Sequence, residues 1–383
     1  MSKLNKIGEF TLLSVACLTI MVGCVIVPDL NRISVNLGVP HAAGWLVTTP
    51  SLGVVVFSPV AGRLIERVGA RTALTGGLFF YGLLGAGGVF FHGPIMVLAD
   101  RLLLGGATSV VMSAGTTLIS DFYSGRARLK MIALQGMSIE LGGVVFLFIG
   151  GLMALAGWYW PFSLYLVAWV LMIMLLLSVP RHNLKHRETI IPGEDHTQKG
   201  IPQPLRLVYF VAVFSMVFFF TGIITLPRYL HSIDFSASET GYFLSFVSFV
   251  AMVTAVLLPS IMDKLKEVSI LYIAFGCYSI AHFIFAISTT VPPIMAGGVL
   301  MGFGFGLSVP LVNHLTVERS HEKYRGRNLA MLSMAIFSGQ FLSSFTDLIS
   351  GNPSIIFLIS AATCIAVMAV IYRAIHPHSR NIT

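Results

Sequence analysis

Glu140 is the only charged residue in the otherwise apolar stretch from Met131 to Ala156. It follows Lys130 by ten residues. At about 1.5 Å per residue of helix, that places it roughly 15 Å along from the basic residue, near the middle of a bilayer if the stretch spans one. A charged side chain at that depth costs about 2.5–3.5 kcal/mol or more, so an acid found there is a functional group by default. At about 100° per residue it shares a helical face with Gly136, Gly143, Gly150 and Gly151. Small residues admit a close neighbouring helix, so the carboxyl is expected to point into protein or a polar cavity, away from lipid. Desolvation favours the neutral form of a carboxyl, which suits a group that gains and loses a proton in each cycle. The alternative is a permanently protonated, structural Glu140 hydrogen-bonded to a neighbouring helix.

Other polar residues stand at the ends of apolar runs. Asp29 closes the first run, and Asp100 and Arg101 lie near the start of the fourth. Arg228, with His231 and Asp234 nearby, closes the seventh, where an interfacial role competes with ligand contact. Asp347, with Ser343, Ser344 and Thr346, forms a polar patch late in the eleventh. Gln135 and Gln340 offer hydrogen bonds to a cargo from runs five and eleven, and Asn313 and His314 stand at the end of run ten. Cys17, Cys24, Cys277 and Cys364 all lie inside apolar runs, where they act as small apolar side chains; no CxxC metal site or disulfide framework is present. The 28 Phe, 11 Tyr and 17 Met would suit a greasy, adaptable cavity, although most of them must face lipid.

The elements that carry these residues follow from composition. The chain has 383 residues, 56% hydrophobic and 10% charged, with mean hydropathy +0.86. A soluble protein carries about 25% charged residues, so this one is read as membrane-embedded throughout. Spans of about 20 apolar residues are expected near 10–30, 44–61, 73–91, 94–119, 131–156 and 161–180. A second set is expected near 206–230, 240–261, 268–288, 292–314, 328–349 and 354–373. The first has no small-residue cleavage site after it and reads as a retained helix, not a signal peptide. With the N-terminus in the cytoplasm, all of the 24 Lys and Arg except Arg32, Arg101 and Arg228 fall on the inside. That asymmetry fits the positive-inside rule. The +8 formal charge therefore reports topology, and without a basic–aromatic stripe nucleic-acid binding is not expected.

The long polar segment 181–204, with Pro192, Gly193, Pro202 and Pro204, reads as a cytoplasmic linker between two halves, 1–180 and 205–383. Features recur between the halves at a nearly constant offset. Pro28 pairs with Pro227, Glu66 with Asp263, Gly105 with Gly302, and Asp121 with Glu318. Four matches in register exceed what chance placement of Pro and acids at helix ends explains, and repeated six-helix halves are how many transporters build a central site. The expected fold is an all-α integral membrane protein, with twelve transmembrane helices in two pseudo-symmetric six-helix bundles.

The segment Gly62-Arg63-Leu64-Ile65-Glu66-Arg67-Val68-Gly69-Ala70-Arg71 is similar to the loop motif Gly-x-Leu-x-Asp-Arg-x-Gly-Arg-Arg of the major facilitator superfamily, with Glu66 for Asp and Ala70 for a basic residue. In span four, Leu98 to Gly105 resembles the family's Leu-x-x-x-Arg-x-x-Gln-Gly, with Leu104 for Gln. Span five ends in Gly150-Gly151-Leu152, then Gly157-Trp158-Tyr159-Trp160-Pro161-Phe162, similar to the motif of the twelve-helix drug:proton antiporter branch. Phe146-Leu147 replaces its Gly-Pro pair. The resemblance covers essentially the whole chain. It implies alternating access between the halves and a role in proton coupling for Arg101. It also makes spans one and four neighbours at a cavity, so that Asp29 and Arg101 can pair, with Asp100 as a competing partner. The loop glycines are expected to allow a tight turn, and Glu66–Arg67 to latch a neighbouring helix end. It places His282 at the periphery, as a structural histidine.

No GxxxxGK[ST], HExxH or GxSxG motif occurs, so ATP-driven transport and these hydrolytic chemistries have no sequence basis. An isolated Glu140 lacks a second catalytic group at its depth, which argues against an enzyme. The expectation is a secondary active transporter that exports a small amphipathic organic molecule or drug, with the proton gradient as energy source and no cofactor or metal. It would act as a monomer in the cell membrane, with both termini in the cytoplasm. The alternatives are a proton-coupled transporter of a specific metabolite, siderophore or lipid-like cargo, by uptake or export, and, in another class, a membrane receptor or sensor that does not transport.

Overall fold

The computed structural model describes residues 4–123, 125–180, 203–321 and 324–375, and all regular structure among them is helical. Among the described residues, twelve helices are long and apolar enough to cross a membrane. Spans 1 to 6 are Lys6–Asn36, Pro40–Val68, Ala70–Phe90, Pro94–Phe122, Lys130–Ala156 and Trp160–Ser178. Spans 7 to 12 are Leu205–His231, Ala237–Met262, Glu267–Ile287, Val291–Glu318, Gly326–Thr346 and Pro353–Ala374. Helix is the natural outcome for an open chain in lipid, because each segment satisfies its own backbone polar groups. Residues 181–202 of the expected linker lie outside the described residues, and Gln203 already belongs to the helix of span 7.

Helix ends follow local rules. Asn5 Oδ1 accepts from the Gly8 amide at 2.7 Å and caps span 1. Span 8 opens on a capping box: Ser236 Oγ accepts from the Glu239 amide at 3.3 Å, while Glu239 accepts from the Ser236 amide at 2.8 Å. Span 4 starts with Pro94 in its first turn, where a missing N–H costs nothing.

Two expected boundaries change. Span 1 is broken: its α-helix stops at Cys24, a 3-10 turn follows at Val27–Asp29, and a short helix continues over Leu30–Asn36. Pro28 stands in that turn. Without an N–H and with its ring against the preceding turn, it cannot sit inside a continuing α-helix without cost. Span 2 runs on to Val68, past the expected end at 61, so Gly62 to Arg67 are helical instead of forming a loop. The turn rests on Gly69 alone, at φ 82 and ψ 150. Among the motif's two glycines only this one needs the left-handed region, since a Cβ at Gly62 would meet open space. Gly69→Ala is expected to cost about 1–3 kcal/mol and Gly62→Ala less than about 0.5 kcal/mol, as read by thermal unfolding of the purified variants. Equal costs would contradict the assignment.

The chain divides into two compact units, Met1–His186 with Pro227–Phe249 and Arg187–Leu226 with Val250–Thr383. In the first, span 2 packs mainly on span 4, span 3 on spans 4 and 6, and span 1 on span 5. In the second, span 9 packs on spans 10 and 12. Close approaches at glycine occur in both units, and one kind is common to the two. A Cβ on Gly142 of span 5 would lie 2.9 Å from Cys17 Cβ of span 1, and one on Gly339 of span 11 would lie 2.9 Å from Met216 Cβ of span 7. Small residues at such crossings let backbones meet, which is how helices associate where lipid removes the hydrophobic drive.

Candidate functional site

Span 5 carries Glu140 into the packing around span 1. The Cys17 thiol donates to the Ser138 carbonyl at 2.9 Å, and Gly142 meets Cys17 on the same turn. The next residue, Gly143, lies beside Ile20 and Ser248, and Ser245 Oγ donates to the Val144 carbonyl at 2.8 Å. Between these contacts Glu140 is half-buried and within electrostatic reach of Cys24. No hydrogen bond or ion pair engages it among the described residues, so neither a donor nor a cation fixes its proton. Of the glycines expected on its face, Gly143, Gly150 and Gly151 pack against other segments, with Gly150 set against the Val25 carbonyl, whereas Gly136 meets open space.

Gln135, buried, donates from Nε2 to Thr116 Oγ1 at 2.9 Å and ties span 5 to span 4. Its amide is thus engaged in a bond between helices.

Arg101 is fully buried, and its acidic neighbour is Asp100, with Nε 3.6 Å from Asp100 Oδ2. Asp29 instead lies 3.9 Å from Arg32, with His231 in electrostatic reach. The break in span 1 accounts for the difference from the expected Asp29–Arg101 pair. Beyond the turn, Asp29 and Arg32 stand three residues apart on the start of a new short helix, a spacing that brings side chains together. Arg101 also donates to the Tyr165 hydroxyl at 3.2 Å and lies over the Phe162 and Tyr165 rings, 5.1 and 5.7 Å from their centroids. Tyr165 in turn donates to the Val22 carbonyl at 2.8 Å, and Tyr81 to the Leu18 carbonyl at 2.7 Å. Neither tyrosine stood out in the sequence. The available signal was a phenol in an apolar run, which must find a partner for its hydroxyl.

The motif between spans 2 and 3 is engaged at one end. Arg71 donates from Nε to the Val179 carbonyl at 2.7 Å and from Nη2 to the Leu176 carbonyl at 2.9 Å. It thereby satisfies carbonyls left open at the end of span 6. Leu64, Glu66 and Arg67 are exposed, and the expected Glu66–Arg67 latch is not engaged among the described residues.

The remaining candidates are dispersed. Arg228 is half-buried at the end of span 7. Asn313 is exposed, with Nδ2 donating to the Val309 carbonyl of its own helix at 2.9 Å. Gln340 is buried, and its backbone carbonyl accepts from Ser343 Oγ at 2.6 Å. The side chain of Asp347 lies outside the described residues. His282 is fully buried, with Nε2 3.0 Å from the Phe218 carbonyl and rings of Phe285 and Phe357 around it, an arrangement that suits a structural histidine.

A family model described as Major Facilitator Superfamily matches residues 11–344. Multidrug resistance protein 1 of Bacillus subtilis (strain 168) is 26% identical over 227 residues, 57% of each chain. Protein TsgA of Escherichia coli (strain SE11) is 25% identical over 247 residues, 63% of this chain and 61% of that one. The matched region thus spans about three-fifths of these relatives' lengths (57% and 61%). Among solved structures, a bacterial homologue of the human lysosomal transporter Spinster superposes with TM-score 0.80 at 13% identity, covering 96% of both chains. A D-xylose-proton symporter superposes with TM-score 0.75 at 14% identity, covering 96% of this chain and 98% of its own. At such identities these structures are similar in fold alone.

Proposed function

Because the chain belongs to the Major Facilitator Superfamily and is therefore a multi-pass membrane transporter and not an enzyme, we propose that it exports small amphipathic organic molecules in exchange for protons. The observation that carries this reading is Glu140: a half-buried carboxyl in the interior of span 5, flanked by close helix contacts and held by no hydrogen bond or cation among the described residues. A carboxyl in that setting changes charge by taking or releasing one proton, and its two forms differ greatly in how they tolerate a dry surrounding. Loading and unloading that proton therefore biases which arrangement of the helices is favoured, which is what coupling requires.

In the proposed cycle Glu140 binds the proton and the Asp100–Arg101 pair responds to it. The segment Gly62 to Arg71 stabilises one arrangement through the bonds of Arg71 to the end of span 6. Both termini lie in the cytoplasm, the cell membrane is the site of action, and the proton gradient takes the place of a cofactor. Export is supported by the relatives whose names refer to multidrug resistance. A second reading, proton-coupled movement of a specific metabolite, is favoured by the likeness in fold to the D-xylose-proton symporter and to a nucleoside transporter, the latter at TM-score 0.76.

Accumulation of a fluorescent lipophilic cation such as ethidium, compared in cells with and without the protein, separates the readings. The exporter should lower accumulation, and an uncoupler should remove the difference. If no amphipathic dye responds while a sugar or nucleoside does, the second reading holds.

A further inference from the structure

His282 is fully buried in span 9 among the rings of Phe218, Phe285 and Phe357, and only one of its two ring nitrogens has a partner. Nε2 stands 3.0 Å from the Phe218 carbonyl of span 7. A carbonyl oxygen only accepts, so Nε2 carries the proton and donates. Nδ1 is then an acceptor, buried without a hydrogen-bond partner. A phenylalanine would fill the same space among the rings and strand no nitrogen. What the imidazole supplies and a phenyl ring cannot is the bond to span 7.

The first half makes the same connection with a different side chain. Tyr81 of span 3, also fully buried, donates to the Leu18 carbonyl of span 1 at 2.7 Å. The offset that pairs Pro28 with Pro227 carries Leu18 to within one residue of Phe218, so the two carbonyls hold nearly equivalent positions. The donors do not. At the offset that pairs Gly105 with Gly302, the counterpart of Tyr81 is Tyr278, whose hydroxyl lies 3.2 Å from Ser308 Oγ of span 10. The bond to the first helix of the half is made one turn later, by His282. At that place the first half has Gly85, with the Tyr165 ring packed over it. Two unlike side chains thus serve one carbonyl position, which singles out the bond itself as the common feature.

Each of these carbonyls precedes a proline in its helix. Pro28 follows Leu18 by ten residues, and Pro227 follows Phe218 by nine. Pro28 stands in the 3-10 turn that breaks span 1, and Pro227 lies inside the helix of span 7, where it leaves the Ile223 carbonyl without an intrahelical N–H. Prolines are where such helices bend most easily. We propose that His282 and Tyr81 are repeat-related positioning residues of the transport cycle. Each pins the first helix of its half to the third, ahead of the proline, so that bending is confined to the part of the helix beyond it. The inference needs neither protons nor a particular cargo.

Hydrogen–deuterium exchange on the full chain in lipid nanodiscs reads the pin directly. His282→Phe keeps a ring and removes the N–H, whereas His282→Gln removes the ring and keeps an N–H with the reach of Nε2. The Phe218 carbonyl retains its helical partner, the Gly222 amide, so His282→Phe should fold. Its amides over residues 219–226 should exchange several-fold faster than in the unaltered protein, and those of His282→Gln should not. A histidine that only fills space gives the opposite order, with Phe tolerated and Gln not. That order, or equal protection in all three proteins, overturns the proposal. In liposomes, His282→Phe should lower the maximum rate of ethidium transport about tenfold while the half-saturating concentration stays within about twofold, and His282→Gln should restore the rate. A rate unchanged in His282→Phe, or not restored by Gln, overturns the role in the cycle. Tyr81→Phe, read over residues 19–25, carries the same test in the first half if a His282 variant fails to fold. If the unaltered protein moves no ethidium, the export reading fails and the exchange measurement still decides the pin.

Discussion

Glu140→Gln is expected to lower pH-gradient-driven flux by about 100-fold, equivalent to about 2.7 kcal/mol of lost coupling, while the protein folds normally. The amide matches the carboxyl in shape, so the contacts of Gly142 and Gly143, just after it in the helix, are undisturbed. It cannot exchange a proton, so a gradient has nothing to act on at this position. Folding should hold because the substitution removes a charge at depth and strands no partner. Purified protein in liposomes gives both readouts, flux under an imposed gradient and the apparent Tm. An unchanged gradient-driven flux would show that Glu140 is structural. Downhill exchange of cargo without a gradient should survive, which separates loss of coupling from loss of binding.

Arg101→Leu should have the largest effect on stability, about 3–5 kcal/mol, because it leaves Asp100 buried at 4% exposure with no compensating charge. It also strips the Tyr165 hydroxyl of its donor and the Phe162 face of its cation. Adding Asp100→Asn to Arg101→Leu should recover much of that loss, since the orphaned charge is then gone. Thermal unfolding of the two variants against the unaltered protein measures the difference. A single substitution that costs less than about 1 kcal/mol, or a double that costs as much as the single, would mean that the carboxyl is already neutral and that no pair exists.

Hydropathy alone located the twelve spans, because a lipid-crossing helix must be apolar along its whole length and must close its own hydrogen bonds. It failed where helices leave the apolar zone. Gly62 to Val68 continue span 2 as helix through a mixture of charged residues (Arg63, Glu66, Arg67) and apolar ones, which sums to no hydropathy signal. Glu140 was legible for the opposite reason: one acid in a long apolar run stands out by depth. The partner of Arg101 was not, because two carboxylates, Asp29 and Asp100, were candidates and the break at Pro28 decided between them. Tyr81 and Tyr165 were missed since their partners are backbone carbonyls, at Leu18 and Val22, which leave no mark in a sequence. The motif glycines divide on the same principle. Gly69 is set by a φ of 82 that only the backbone reveals, whereas Gly62 lies within a helix.

The central claim is that one proton moves against cargo through Glu140. Liposomes containing the protein and a trapped pH-reporting dye, with no imposed gradient, test it most directly when a lipophilic cation such as ethidium is added outside. The account predicts that inward movement of the dye drives proton release from the lumen, seen as a rise in internal pH that saturates with dye concentration and is absent with Glu140→Gln. Dye entry with no change in internal pH, or the same change in the Gln variant, would contradict it.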